Sequence, residues 1–168
     1  MNVMAELVVL GIDHNHQSSD PELKSSISGL VESNAVRTIA EENRFHVHTV
    51  GYEVAESSGL CWVQIDMSTE ERLKAGIYDK LSNRMQIRGY ESNGEPIQAI
   101  RYAPVEDGIR EEFWLDRIEE VAKEERVLVI CGCLHCAPFS EKAVRRGHKV
   151  LSKLFHPQVL SALKPELY

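Results

Sequence analysis

Val127–His135 reads VLVICGCLH: a run of small and β-branched apolar residues ends at Gly132, and a histidine follows three positions later. Such a run is the signature of a strand buried on both faces. Leu7–His14, LVVLGIDH, repeats the pattern near the other end of the chain, with Gly11 and then His14. Both read as buried strands that stop at glycine, turn sharply and present a histidine just past the carboxyl end. In an open parallel sheet, ligands bind outside those ends. The two Gly-x-x-His turns are therefore expected to bring His14 and His135 to one crevice from opposite ends of the sequence. Glycine at each turn is expected to let the backbone bend tightly and approach a ligand closely.

Strand and helix signals alternate between these two anchors. The first strand covers about Glu6–Ile12, and a polar loop runs from Asp13 to Ser19. Asp20-Pro21 supplies an N-cap and a first helical position. Leu23, Ile27, Leu30 and Val31 then fall at helical spacing, to about Glu32. A short strand, Ala35–Ala40, ends in Glu41-Glu42. Thr49–Ser57 reads as a helix closed by Gly59, Leu60–Ile65 as a strand ending in Asp66, and Ser68–Glu71 as a capping box. Residues 77–107 carry turn signals and little periodicity, which predicts a lid or irregular excursion. Asp107 is expected to cap a helix, Gly108–Glu125, with Ile109, Phe113, Ile118, Val121 and Ala122 on its core face. Arg126–Cys131 is the fourth strand. After the Gly132–His135 turn come a helix around Ser140–Arg146 and a fifth strand, His148–Leu154. The weakly apolar tail, 157–168, is read as a surface for a neighbouring copy, which admits a homo-oligomer. The alternation predicts a single α/β domain with a mostly parallel central sheet of about four or five strands flanked by helices.

The chain has 168 residues, 43% hydrophobic and 27% charged, with a net charge of −7. That suits one globular domain and argues against nucleic acid or an anionic membrane as the main partner. No apolar run approaches the ~20 residues of a membrane span, and no signal peptide is evident. Three of the four cysteines, Cys131, Cys133 and Cys136, crowd one strand end, while Cys61 lies elsewhere. This is no disulfide framework, and the expected location is the cytoplasm.

Each predicted strand finishes with a group that can bind a metal or move a proton: His14, Glu41 or Glu42, Asp66, and His135. Imidazole plus carboxylate is a ligand set for zinc, manganese or iron, and equally a set for acid–base work. Only one of Glu41 and Glu42 can face the crevice while the chain is extended. Arg110 beside an acidic crevice could hold a carboxylate or a substrate anion, as could Arg72; the competing reading of both, and of Glu111, is a solvated helix face. Trp114 reads as packing. His-x-His at His14–His16 resembles the start of amidohydrolase barrels, but such barrels need at least about 200 residues. Cys133-x-x-Cys136 lacks a second ligand pair for zinc, and half-buried inert thiols are the simpler reading. His46-x-His48 reads as exposed loop.

Taken together, Gly11–His14, Gly132–His135 and the Glu41-Glu42 pair resemble the loose superfamily of erythromycin esterase, TraB/GumN, Tiki and ChaN-like proteins. The segments IAEEN (Ile39–Asn43), DMSTEER (Asp66–Arg72) and IREEFWLDRI (Ile109–Ile118) look like those of small bacterial proteins with this layout. The resemblance implies an α/β fold with His14, Glu41 or Glu42, and His135 in one pocket. Within that superfamily the chemistry varies: Tiki proteins are metal-dependent proteases, erythromycin esterases open a lactone with histidine as general base, and the ChaN type binds haem.

The resulting expectation is a small hydrolase acting on a small-molecule or peptide-like substrate. Its water would be activated by a divalent metal on His14, His135, Glu41 and Asp66, or by histidine as general base with Arg110 steadying the oxyanion. The alternative is a binding protein without turnover, for a metal, haem or another small ligand.

Overall fold

The computed structural model describes residues 4–43, 48–78, 85–90, 92–122 and 125–156. The predicted tail surface, 157–168, and His46 lie outside the described residues, as do parts of the 77–107 excursion. In chain order the elements are β1 (Glu6–Ile12), a 3-10 turn (His14–His16), α1 (Pro21–Ser33), β2 (Thr38–Glu41), α2 (Val50–Ser58), β3 (Cys61–Gln64) and α3 (Thr69–Lys74). There follow β4 (Met85–Tyr90), β5 (Pro96–Ile100), α4 (Pro104–Ala122), β6 (Arg126–Gly132), α5 (Cys133–Arg145) and β7 (Lys149–Leu154).

Five strands form one all-parallel sheet in the order β3-β2-β6-β1-β7. The two strands that opened the reading lie side by side, with Ile12 opposite Gly132. Alternation along each strand sends side chains to two separate cores. Leu7, Val9, Val127, Val129 and Ala40 pack with Trp114, Leu115 and Ile118 of α4 and Phe139 and Ala143 of α5. Val8, Leu10, Leu128, Ile130 and Ile39 pack with Leu23 and Ile27 of α1 and Val50 and Val54 of α2. The chain thus leaves β1 toward one face and leaves its neighbour β6 toward the other. This is a topological switch point, the place at the carboxyl ends where open α/β sheets bind ligands. Among the described residues no helix is long and apolar enough to cross a membrane.

Several local expectations are corrected. The excursion is not irregular throughout: β4 and β5 pair as an antiparallel ribbon. Helix α4 starts at Pro104, and Asp107 sits inside its first turn, where its carboxylate accepts from the Ala103 amide at 2.8 Å. Its buried face is Asp107, Arg110, Glu111, Trp114, Leu115, Ile118 and Ala122, whereas Ile109 is exposed. Helix α5 begins at Cys133, so the supposed turn ahead of His135 is the helix's own first turn.

The glycines of the two motifs also act differently from expectation. Neither Gly11 nor Gly132 has the left-handed φ that a sharp glycine turn would use. They are small because other groups press on them. A Cβ on Gly132 would lie 2.8 Å from His14 Nε2, and one on Gly11 would lie 2.9 Å from Cys136 Cβ and 2.7 Å from a Leu154 methyl.

Candidate active site

Strand parity decides what the two glutamates do. Glu41 shares the face of Ile39, toward α1 and α2, whereas Glu42, one residue on, projects with Ala40 toward α4 and α5. Both are buried. Glu42 Oε2 accepts from the Gly132 amide at 2.8 Å and lies 3.5 Å from His14 Nε2. Its Oε1 accepts from Arg110 Nη2 at 2.7 Å and lies 3.9 Å from His135 Nε2. Two histidines separated by more than a hundred residues therefore flank a single carboxylate at the switch point. Burial pushes the Glu42 carboxyl up. The positive charges gathered around it (His135 when protonated, Arg110 and His14) outweigh burial and hold it well below the usual carboxylate range.

Arg110 ties the cluster together. Its Nε and Nη2 form a fork on Asp66 at 3.1 and 2.9 Å, and Nη1 donates to Asp107 at 3.1 Å. Nη2 also reaches Glu42, and Nη1 lies 3.3 Å from His135 Nε2. A guanidinium has five N–H groups, and these are five acceptors. Arg110 is buried and committed to its neighbours, so it holds the cluster in shape and has no N–H left for an oxyanion. Asp66 also accepts from the Trp114 indole at 3.1 Å, so Trp114 both packs and donates.

His135 stands on the first turn of α5, and its Nδ1 lies 2.8 Å from Glu111 Oε1. Glu111 is held in turn by the Tyr102 hydroxyl at 3.0 Å and by Lys142 Nζ at 2.8 Å. Arginine cannot accept a hydrogen bond, so the Arg110 contact is attractive only while His135 Nε2 carries a lone pair. The carboxylate on Nδ1 and the lone pair on Nε2 make one tautomer, the arrangement that orients basic or metal-binding imidazoles. Burial and the Glu111 charge push the Tyr102 phenol up, so it stays a donor.

His14 is the most open member, with its side chain about a third exposed. Asp13 starts the 3-10 turn that carries it by accepting from the Asn15 amide at 2.9 Å. His14 Nδ1 lies 2.8 Å from Gln17 Oε1. Burial disfavours its charge, but the hydrogen bond and charge of Glu42 more than reverse that and raise its pKa to about 9. His14 is therefore an imidazolium at neutral pH.

Glu41 is linked to His14 through Gln17. Its Oε1 accepts from Gln17 Nε2 at 3.0 Å, and its Oε2 accepts from the Thr49 hydroxyl and the Trp62 indole, each at 2.7 Å. Burial pushes its carboxyl up, and these neutral donors reverse that only in part. The structure thus gathers His14, Glu42, Asp66, Arg110 and His135, and places Glu41 on the opposite face. Arg72 lies on α3, and His48 pairs with Glu53 at the surface. Cys133 and Cys136 open α5 as free thiols, and burial raises both of them and Cys131.

The expected metal set fits poorly. His14, His135, Glu41 and Asp66 do not converge, and the guanidinium of Arg110 already occupies both Asp66 oxygens and reaches Glu42. A divalent ion placed among them would face that fixed cation at close range. Among the described residues no three of His, Cys, Asp and Glu are grouped to share an ion.

Sequence reasoning missed Gln17, Tyr102 and Lys142, and it left Glu111 on the solvent side. A signal did exist for Asp107, Arg110, Glu111 and Trp114, which stand at i, i+3, i+4 and i+7 and so share one helix face. No family model, curated protein or solved structure matches the chain.

Proposed function

We propose that the chain is a small hydrolase working by metal-free acid–base chemistry, with His135 as general base and His14 as general acid. One observation carries this reading: a single buried carboxylate, Glu42, is flanked by two imidazoles in different hydrogen-bond settings, His14 facing it at 3.5 Å with its pKa raised to about 9, and His135 3.9 Å away with its Nε2 facing the Arg110 guanidinium. Pairs of titratable groups pushed apart by their surroundings are how one site supplies both acid and base at one pH. His135 Nε2 would take a proton from the attacking water. Its contact with Arg110, 3.3 Å, is the longest of that guanidinium and the one the water would replace. Glu111, backed by Tyr102 and Lys142, would stabilise the imidazolium so formed. His14, already charged and partly exposed, would protonate the leaving group through Nε2. Glu42 would hold the His14 ring, Glu111 the His135 ring, and Arg110 would hold Glu42.

The substrate under this reading is a small or peptide-like molecule. Four cysteines without a disulfide among them suit the cytoplasm. The arrangement also agrees with the histidine–glutamate pocket that the resemblance to the erythromycin esterase, TraB/GumN, Tiki and ChaN-like superfamily implies.

The test is a panel of ester, amide and phosphoester substrates, run with and without a chelator. Positioned acid and base groups are each worth about 10²–10⁴-fold, so His14→Ala and His135→Ala should each lose roughly 10²-fold or more, and the chelator should change nothing. Full rates in either variant would overturn the assignment. Turnover abolished by chelation would move the chemistry to a metal. A silent panel with a stoichiometric metal or a Soret band in the purified protein would replace hydrolysis with ligand binding.

A further inference from the structure

We propose that Glu41 and Gln17 form a relay that fixes a proton on His14 Nδ1 and thereby makes Nε2, on the crevice side, the only position that gains and loses one. The inference rests on the hydrolase reading for its purpose, because it assigns the nitrogen through which His14 acts.

The argument is one of hydrogen-bond direction. Gln17 is buried and anchored by its backbone, whose carbonyl accepts from the Val50 amide at 2.9 Å at the start of α2. Its side-chain nitrogen donates twice, to Glu41 Oε1 at 3.0 Å and to the Glu42 carbonyl at 2.8 Å. An amide nitrogen has two hydrogens, and both are used. The amide oxygen must then face His14 Nδ1, 2.8 Å away, and an oxygen can only accept. Nδ1 therefore carries hydrogen in the charged ring; in the neutral ring Gln17 at 2.8 Å competes with the acceptor-only Glu42 Oε2, 3.5 Å from Nε2, and the shorter contact favours hydrogen on Nδ1. The free histidine side chain prefers hydrogen on Nε2, so the relay reverses an intrinsic preference.

Glu41 and the Glu42 carbonyl together keep Gln17 from flipping. Glu41 Oε2 is fixed as an acceptor by the Thr49 hydroxyl and by the Trp62 indole, which can only donate. Its Oε1 then offers lone pairs to Gln17. Gly51 leaves the space for this carboxyl, because a Cβ there would lie 2.6 Å from Glu41 Oε2. Glu41 and Gln17 are thus positioning residues for His14, and a buried acid on the face away from the crevice acquires a role.

In Glu41→Gln, the new amide must keep its oxygen toward Trp62 and turn its nitrogen toward Gln17. A flip of Gln17 that relieves this donor–donor clash presents its nitrogen to His14 Nδ1 but turns its oxygen on the Glu42 carbonyl, so Glu41→Gln weakens the relay, whereas Gln17→Met removes it. A single hydrogen bond worth about 1 kcal/mol shifts a tautomer ratio by roughly fivefold.

The experiment reads the tautomer of neutral His14 by long-range proton–nitrogen NMR above its transition near 9. In the wild type the Nδ1–H form should dominate. In Gln17→Met, which removes the amide at similar length, the Nε2–H form should take over, and in Glu41→Gln its share should rise. An Nε2–H ring in the wild type overturns the relay even if neither variant folds, and so does an Nδ1–H ring that persists in both variants. The two proposals fail separately. A correct tautomer with a silent substrate panel sinks hydrolysis and spares the relay; the wrong tautomer with active enzyme does the reverse.

Discussion

Arg110→Met removes the one cation that Glu42, Asp66 and Asp107 share while roughly keeping the length of the side chain. Taking one partner out of a buried ion pair costs ~3–5 kcal/mol. Here a single guanidinium serves three buried carboxylates, so the upper end, about 5 kcal/mol at pH 7, is expected. At about 2–4 °C per kcal/mol for a chain of this size, the melting temperature should fall by about 10–20 °C. The pH dependence supplies a second readout. Glu42 is held well below the usual range in the wild type. Its contribution is therefore present above the unfolded carboxylate value, about 4.3, and is lost only as pH falls through the depressed folded value. With Arg110 gone, burial meets less opposition and Glu42 takes up its proton more readily, so the variant gains on the wild type as pH falls from 7 toward 5. Urea unfolding followed by circular dichroism and tryptophan fluorescence at both pH values measures the gap. A loss under about 1 kcal/mol at pH 7, or a gap that widens on acidification, would refute the description of Arg110 as the centre of the cluster.

Glu42→Gln should return His14 from about 9 toward its ordinary value, read by NMR titration. The sign for stability follows: a raised histidine pKa stabilises the fold below the unfolded value and loses that contribution as pH rises through about 9, so the wild type should weaken across this window and the variant should not. Gly51→Ala sets two effects against each other. Alanine is favoured in a helix by about 1 kcal/mol, but its Cβ would meet three atoms of the Glu41 carboxyl at 2.6–3.0 Å. That carboxyl is held on both oxygens, so overpacking of ~1–3 kcal/mol should win; a raised melting temperature would show that it yields.

The sheet was legible because buried parallel strands announce themselves. LVVLG and VLVICG are apolar on both faces, and only a two-sided core needs that. Their adjacency was not readable, because strand order depends on crossovers that skip a neighbour, as β1 to β2 skips β6. The core face of helix α4 was read correctly at Ile118 and Ala122 and missed over its first two turns, for a physical reason. Its true face is polar in the first two turns and apolar afterwards, running from Asp107, Arg110 and Glu111 to Leu115, Ile118 and Ala122. A search for apolar periodicity penalises the polar half and drifts to the neighbouring stripe through Ile109, which is exposed.

That polar half-stripe is also where the site resides, and the two facts have one cause. A helix that buries Asp, Arg and Glu loses hydration free energy at every turn unless each charge meets a partner. The partners come from other elements: Glu42 and Asp66 beyond the ends of β2 and β3, His135 from α5, and Tyr102 ahead of α4. None of these pairings is local in sequence, so the sequence could name the histidines, the glutamate pair and Arg110 beside an acidic crevice, but not the carboxylates that the arginine joins. The close fit has a consequence for chemistry. With Arg110 satisfied five ways, the cluster has little freedom to rearrange around a substrate. Under the hydrolase reading, a substrate would be met at the margin where His14, the most open member of the cluster, meets solvent and Gly132 leaves room for its ring.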